Sequence, residues 1–313
     1  MFAAHADWSS DARKRWLSVA RRGSRGWRVS APRPVGNVPD LLPFLLAEAG
    51  GTGCCLGVDF PLGLPRAYAE RYAKEDGFPA FLRNLTQRPE FFRVAMTLAE
   101  VSPDRPFYPQ HGARGMTRAA HATALGLPDA AALCRAADRA TAERPAGAPL
   151  FWTLGPNQSG KAAIAAWRDL LLPAFAVGLP VRLWPFDGAL KALLQPGAIV
   201  VAETYPAQAL RVLGLRNGGS KRRQADRRAL GPALIAAMQR LSARASPALA
   251  AQIADGFGTD AAGEDRFDSV LGVLNVIAVL DGQAPDGVPD DPALTRWEGW
   301  VLGQAALPKV YPA

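Results

Sequence analysis

The feature that most constrains the fold is a short apolar run that ends in a carboxylate. The run covers residues 54–58, with the sequence CCLGV, and Asp59 follows it directly. Its length, with glycines before it and Pro61 after it, is typical of a central β-strand. A carboxylate buried alone at the end of such a strand costs free energy or takes up a proton. We therefore expect a cation or a hydrogen-bond donor to share a site with Asp59.

Composition indicates a globular chain. Of its 313 residues, 49% are hydrophobic and 20% are charged, which excludes disordered and fibrous classes. The length fits two domains of roughly 150 residues each, or one large α/β domain with an insertion. The three cysteines, Cys54, Cys55 and Cys134, match neither a disulfide framework nor a zinc-binding spacing. They indicate core thiols in a reducing compartment.

The charge balance favours an anionic partner. Lys and Arg outnumber Asp and Glu by 36 to 28, a formal net charge of +8, which suits nucleic acid, although arginines spread over a solvated surface would give the same balance. The longest apolar run, residues 270–280, is interrupted by Gly272 and Asn275. It is shorter than the roughly 17–25 residues of a membrane span. We expect a cytoplasmic protein with no membrane partner.

Three predicted strands precede the Asp59 strand and form a meander. They cover residues 2–8, 14–20 and 27–30. A predicted helix over 39–49 then leads to the strand that carries Asp59. A helix between two strands is a crossover, so this fourth strand should lie parallel to the first. The first strand carries Asp7, and we expect Asp7 and Asp59 at the same edge of neighbouring strands.

The rest of the chain is predicted as a mainly helical insertion, residues 66–197, followed by a return to the first domain, which comprises residues 1–65 and 198–313. Within the insertion we predict helices at 67–74, 79–85, 130–141 and 161–172 and a short strand at 181–184. After it come a strand at 198–202 that ends at Glu203, and helices at 208–213, 221–241, 247–254 and 264–280.

Four carboxylates occupy positions suited to one cluster. Asp7, Asp59 and Glu203 end predicted strands, and Asp268 lies in the first turns of the last long helix. Ligands of open α/β sheets bind beyond the carboxyl ends of the strands. Several carboxylates stay ionised together only beside a cation, and oxygen ligands select magnesium or manganese. Two such ions would support phosphodiester hydrolysis. The alternative for each acid is a loop cap or an arginine pair.

Five motifs carry a family resemblance. They are ADWS (6–9), GVDFPLGLP (57–65), ETYP (203–206), DRFDS (265–269) and EGW (298–300). Together they resemble domain-of-unknown-function family 429, a predicted nuclease of the ribonuclease H-like fold. The similarity covers about residues 2–65 and 198–303.

The resemblance implies an α/β fold with a ribonuclease H-like mixed sheet, flanking helices and a large helical insertion. It also implies a metal-dependent nuclease with Asp7, Asp59, Glu203 and Asp268 as the ligands of Mg²⁺ or Mn²⁺. Relatives usually carry small residues around the helical aspartate, whereas Phe267 precedes Asp268 here. Asp265 is therefore the alternative ligand from this helix.

A rival motif is the stretch GPNQSGK at residues 155–161, which has the spacing of a phosphate-binding loop. Position 162 is alanine, so the magnesium-binding hydroxyl is missing, and Pro156 removes an amide. A structural turn before a helix explains the motif better, although Gln158 and Lys161 could face a phosphate at the helix N-terminus.

Candidate substrate contacts come from two further segments. The basic segment 216–228 contains Lys221, which would contact nucleic-acid phosphates if the segment borders the acidic crevice. Tyr108, His111 and Arg114 lie in a proline- and arginine-rich stretch of the insertion, and His111 is a candidate general base.

The sequence thus predicts metal-dependent hydrolysis of nucleic acid. Two alternative functions also fit the sequence. One is a nucleotide-binding phosphotransferase or ATPase that uses the loop at 155–161, and the other is a non-catalytic nucleic-acid-binding module.

Overall fold

A mixed β-sheet forms the centre of the molecule. The computed structural model describes residues 1–112, 114–155, 159–216 and 218–308. Within them the sheet has eight strands: β1 (Phe2–Asp7), β2 (Trp16–Gly23), β3 (Gly26–Val29), β4 (Arg33–Pro34), β5 (Cys54–Val58), β6 (Val181–Trp184), β7 (Ile199–Glu203) and β8 (Ala243–Ala245).

The order of the strands follows from the meander and the crossovers. Along the sheet it is β6-β7-β5-β1-β2-β3-β8, and β4 pairs with β2. Strands β1, β2 and β3 are antiparallel neighbours, whereas β5 lies parallel to β1, β7 to β5, and β6 to β7. The predicted α/β class, the meander and the parallel crossover to β5 are confirmed.

Eleven α-helices flank the sheet among the described residues. They are α1 (Leu41–Ala49), α2 (Arg66–Tyr72), α3 (Phe78–Asn84), α4 (Arg118–Ala124), α5 (Ser159–Ala166), α6 (Leu172–Ala176), α7 (Leu190–Leu193), α8 (Pro206–Val212), α9 (Gln224–Arg240), α10 (Pro247–Asp255) and α11 (Gly263–Leu280). A π-helical turn at Trp167–Leu171 joins α5 to α6.

One predicted helix is wrong. Residues 130–141 form two short 3-10 turns, Ala130–Leu133 and Ala136–Asp138, in place of one helix. Cys134 and Arg135, between the turns, have extended backbone. The fully buried Arg135 side chain bonds to several elements of the core. These tertiary contacts override the helical preference of the alanine-rich sequence.

The two faces of the sheet carry separate layers of core. Because side chains alternate along a strand, Ala4 and Ala6 of β1 pack on the side of α1, which we call the α1 face. Ala3 packs on the opposite side with α9, α10 and α11, which we call the α11 face. Helix α11 is buried along most of its length, so it forms the centre of that layer.

Segment 66–197 is not mainly helical: its six short α-helices and its other helical turns cover fewer than half of its described residues, and most of its buried apolar side chains lie on the α1 face. Its large aromatic side chains, such as Phe81 and Trp167, share one apolar cluster with β1 and α1. It also supplies β6 at the edge of the sheet. No helix in the described part of the chain has the length and apolar character of a membrane span.

Candidate active site

The parallel pairing of β1 and β5 brings two aspartates together. Ala6 is level with Val58 in this pairing, so the residues that follow, Asp7 and Asp59, leave the sheet side by side. The charge of Asp59 raises the pKa of Asp7, and the backbone N–H of Trp8 donates to Asp59 Oδ1 at 2.6 Å. The sequence prediction that these two acids share one edge is confirmed.

Helix α11 supplies the third carboxylate because it packs unusually close to the sheet. A Cβ atom at Gly272 would lie 2.2 Å from the ring of His5, so a larger residue would push the helix away from β1. Asp268 lies one helical turn before Gly272, on the same face of the helix, and its charge acts on both Asp7 and Asp59. The Oγ atoms of Ser269 and Ser18 lie 2.9 Å apart, which ties this end of α11 to β2.

A lysine from the segment before α9 pairs with Asp268. Lys221 Nζ lies 2.7 Å from Asp268 Oδ1, and Arg227 donates to the backbone carbonyl of Lys221. The same guanidinium donates to the carbonyl oxygens of Gly256 and Gly258 at 2.9 and 2.7 Å. Arg227 therefore fixes the backbone that carries Lys221. The basic segment borders the acidic site, although α9 begins at Gln224 and Lys221 precedes it.

The cluster holds more negative charge than Lys221 neutralises. Burial raises the pKa of Asp7 well above its usual range, and the charges of Asp59 and Asp268 raise it further. Burial also raises the pKa of Asp59 to about 7, against the effect of the Trp8 N–H. Burial raises the pKa of Asp268, and Lys221 opposes that rise. The Asp7–Asp59 pair therefore favours a shared proton near neutral pH.

Asp265 lies at the rim of this cluster. Burial raises its pKa to about 6, and the charges of Lys14 and Asp268 act in opposite directions on it. Both helical candidates, Asp265 and Asp268, thus face the same charge cluster, but Asp268 is the more deeply buried of the two.

Glu203 does not join the other three acids. It is level with Val58, one residue before Asp59, so its side chain projects to the α1 face. Arg135 binds it with both guanidinium nitrogens, at 2.6 Å from Nη1 to Oε2 and 2.7 Å from Nη2 to Oε1. The backbone N–H of Leu62 donates to Oε2 at 2.7 Å. The predicted convergence of four carboxylates therefore reduces to three.

The surroundings of Glu203 form a closed ion-pair network. Arg135 also pairs with Asp138 at 2.8 Å, and the Tyr205 hydroxyl donates to Asp138 at 3.1 Å. The side chains of Arg135 and Glu203 are both 0% exposed. This network fixes segment 66–197 to the end of β7, and its carboxylates are satisfied from within the protein.

Thr204, the residue after Glu203, projects to the α11 face on which Asp59 lies. Its Oγ1 lies 2.8 Å from Nε2 of the buried His5, and burial lowers the pKa of His5 to about 3. A neutral imidazole therefore lies beneath the aspartates. The alternation of side chains along β7 was the signal that could have identified Thr204.

Cations on the loop after β1 were also missed. Arg15 is buried against Trp8 on the α1 face, with its guanidinium 4.6 Å from the centre of that ring, so the cation of this loop that acts on the site is Lys14. Lys14 lowers the pKa of Asp265. The run ARKR at residues 12–15, directly after the Asp7 strand, was a visible sign of a basic rim.

Tyr108, Arg114 and Lys161, three further predicted substrate contacts, do not form part of this cluster. Tyr108 is 3% exposed, and its ring packs against His121 and Trp152. It is therefore a core residue, because an aromatic ring gains more from apolar burial than from exposure. Arg114 is exposed and Lys161 is part-buried on α5. Gln158 lies outside the described residues.

The oxygen-rich donor set has the chemistry that Mg²⁺ or Mn²⁺ prefers. Asp7, Asp59, Asp268 and Asp265 could supply such ligands. In this structure, however, a proton and the Lys221 ammonium neutralise part of the negative charge of these carboxylates. Within the described ranges, no three Asp, Glu, His or Cys side chains are placed to hold a metal ion together. Metal binding would release the proton and displace Lys221 from Asp268.

Comparison with known proteins adds no relative. No protein-family model, curated protein or solved structure matches this chain. The family resemblance of the five motifs therefore stays a prediction, and the function has to be argued from the site.

Proposed function

We propose that this protein is a metal-dependent nuclease of the ribonuclease H-like type that hydrolyses phosphodiester bonds of nucleic acid. The observation that carries the proposal is the convergence of Asp7, Asp59 and Asp268 from β1, β5 and α11. Burial raises the pKa values of all three carboxyl groups, and the charges of neighbouring carboxylates raise them further. A divalent cation would relieve this charge.

The arrangement of the strands supports the same fold type. An aspartate-bearing strand opens the chain, two antiparallel strands follow it, and a helix returns the chain to a parallel strand beside the first. This order of elements resembles that of the ribonuclease H-like fold, which the five motifs also imply. The closeness of Asp59 to Asp7 follows from it.

The residues of the site have separable tasks in the proposed reaction. Asp7, Asp59 and Asp268 would hold Mg²⁺ or Mn²⁺, with Asp265 at the rim. Such ions activate a water and stabilise the leaving oxygen. Lys221, once displaced from Asp268, would face the phosphate, and Lys14 adds positive charge at the rim beside Asp265.

A cleavage assay tests the proposal. Purified protein is incubated with Mn²⁺ or Mg²⁺ and with single-stranded, duplex and hybrid oligonucleotides. We expect hydrolysis that Asp59→Asn reduces by about 10³-fold or more. Asp11→Asn is the matched control, because Asp11 is close in sequence to Asp7 but its part-exposed carboxylate accepts hydrogen bonds from Arg13, and it should leave the rate unchanged.

Two outcomes would contradict the proposal. Equal cleavage by the wild type and Asp59→Asn would mean that the activity arises elsewhere. Binding of all three substrates without any cleavage, with either ion, would identify a non-catalytic binding module.

A further inference from the structure

A second charged surface lies at the opposite end of the sheet. An open groove of about 760 Å³ runs over β2, β3 and β8 on the α1 face. We call it the arginine groove and define it by its charged lining: Arg21, Arg25, Arg28, Arg244 and Glu48. Arg22 also borders it, but its guanidinium pairs with Asp281 at 2.7 Å.

The strand pairing lines up three of these arginines. Arg21 is level with Arg28 across β2 and β3, and Arg28 is level with Arg244 across β3 and β8. Residues that are level on adjacent strands project from the same face, about 5 Å apart. The three guanidinium groups therefore form one row across the sheet, and Arg25 extends the basic surface at the tip of the β2–β3 hairpin.

This row lacks internal counter-charge. The single carboxylate among the residues that line the groove is Glu48, 3.6 Å from Arg21. In the described part of the chain, Arg25, Arg28 and Arg244 form no ion pair, and all three are exposed. Like charges directly opposite each other destabilise a sheet. An anion in the groove would remove that repulsion.

We propose that the arginine groove binds the phosphate backbone of a nucleic acid. Four arginines against one glutamate give the groove the charge complementary to a polyphosphate chain. The aromatic residues of its lining, Phe2 and Trp27, are each 1% exposed, so they provide no surface on which bases could stack. Recognition therefore rests on phosphates and is independent of base sequence.

The groove is separate from the carboxylate site. Arg21 is level with Phe2, and Asp7 lies five residues further along β1, a distance of about 17 Å at about 3.4 Å per residue. The row also lies on the α1 face, whereas the aspartates face α11. Binding in the groove therefore does not depend on the proposed hydrolysis, and it can be measured in a protein that cannot cleave.

The test is a binding measurement in the Asp59→Asn background, with a chelator present. The groove variant carries R25Q, R28Q and R244Q. The control variant carries R71Q, R93Q and R182Q, which removes the same charge from exposed positions elsewhere. Fluorescence anisotropy with a labelled oligonucleotide, single-stranded or duplex, gives Kd at several salt concentrations.

We expect the groove variant to bind at least about tenfold more weakly at low salt. The slope of log K against log salt should fall by about 2 to 3, because three phosphate contacts are lost. The control variant should retain most of the affinity and the slope. Thermal unfolding should show the groove variant at least as stable as its parent, because repulsion has been removed.

A second variant tests the same surface in the opposite direction. Glu48→Gln removes the only carboxylate of the lining and should tighten binding about two- to threefold. Equal weakening by the groove and control variants, or no effect of Glu48→Gln, would overturn the proposal. So would groove-dependent binding to phosphatidylserine vesicles without binding to oligonucleotides, which would identify a membrane surface.

Discussion

Acidic groups near the ends of adjacent strands lie on both faces of the sheet, and their negative charge is compensated differently on each face. On the α1 face, Glu203 and Asp138 share the guanidinium of Arg135. On the α11 face, Asp7, Asp59 and Asp268 have Lys221 as their nearest cation, and they keep a proton near neutral pH. The carboxylates of the first network are buried and paired with Arg135. The second cluster keeps negative charge that Lys221 does not neutralise.

The difference separates a structural ion pair from a candidate reactive site. A buried carboxylate that receives bidentate bonds from arginine and a third bond from a backbone amide has its charge compensated and most of its acceptor sites occupied. A carboxylate pair that holds a proton can exchange it for a cation. The identity of an acid at a strand end therefore says less about function than the face to which it projects and the charge already present there.

The largest effect is expected from breaking the closed network. Arg135→Met should lower the free energy of unfolding by about 3–5 kcal/mol, because Glu203 and Asp138 would remain buried without a counter-charge. Denaturant unfolding measures the loss. The double variant Arg135→Met/Glu203→Met should recover part of it, since it removes one of the two uncompensated charges. A loss below about 1 kcal/mol for Arg135→Met would mean that the network is not structural.

The free energy of unfolding should depend on pH through the acidic cluster on the α11 face. The pKa of Asp59 is raised from 3.8 to about 7 in the folded protein, so folding favours its protonated form. Its contribution to stability is complete below about pH 4 and is lost as the pH rises through about 7. Without metal, the free energy of unfolding should fall by about 2 kcal/mol between about pH 5 and pH 7.

Asp59→Asn should make this pH profile flatter and raise the stability at neutral pH, because asparagine cannot ionise. Chemical unfolding at several pH values, in a chelator, gives the comparison. Asp11→Asn serves as the control, since Arg13 lowers the pKa of that part-exposed carboxylate. A profile of equal slope in the wild type and Asp59→Asn would show that Asp59 does not hold the proton.

The smallest effect concerns the cation of the open cluster. Lys221→Gln should lower the unfolding temperature in a chelator, because Asp268 loses its partner. Mn²⁺ should restore the loss, so the shift that it produces should exceed the wild-type shift by about 2–4 °C. Arg223→Gln is the matched control, because Arg223 pairs with Asp226 outside the cluster. Equal Mn²⁺ shifts in the wild type and Lys221→Gln would contradict competition between the ion and the lysine.

Local patterns were sufficient for the main elements near the site. The apolar run before Asp59 correctly predicted β5. Apolar residues at helical spacing predicted α11 to within one residue of its observed start; they are Phe267, Val270, Leu271 and Leu274. Both patterns reflect the burial of whole element faces, which the sequence records directly. Segment 130–141 failed because its conformation depends on where the Arg135 side chain finds its partners.

Glu203 shows where sequence reasoning reached its limit. Its place at the end of a strand was predicted correctly, but a strand end does not specify a face. The register with β5 does, and a shift of one residue moves a side chain to the opposite side of the sheet. The arginine row also depends on strand register, because Arg28 and Arg244 are distant in sequence and become level only where β3 pairs with β8.

The sequence by itself determined that Asp7 and Asp59 end parallel neighbouring strands, because alternation, helix periodicity and the crossover connection are local properties. Only the tertiary structure decided which acids share a site and which cation pairs with each of them. Arg135 lies 68 residues from Glu203, and Lys221 lies 47 from Asp268. Pairings of this kind are set by the register of the sheet and the close approach of α11 at Gly272, which no local pattern encodes.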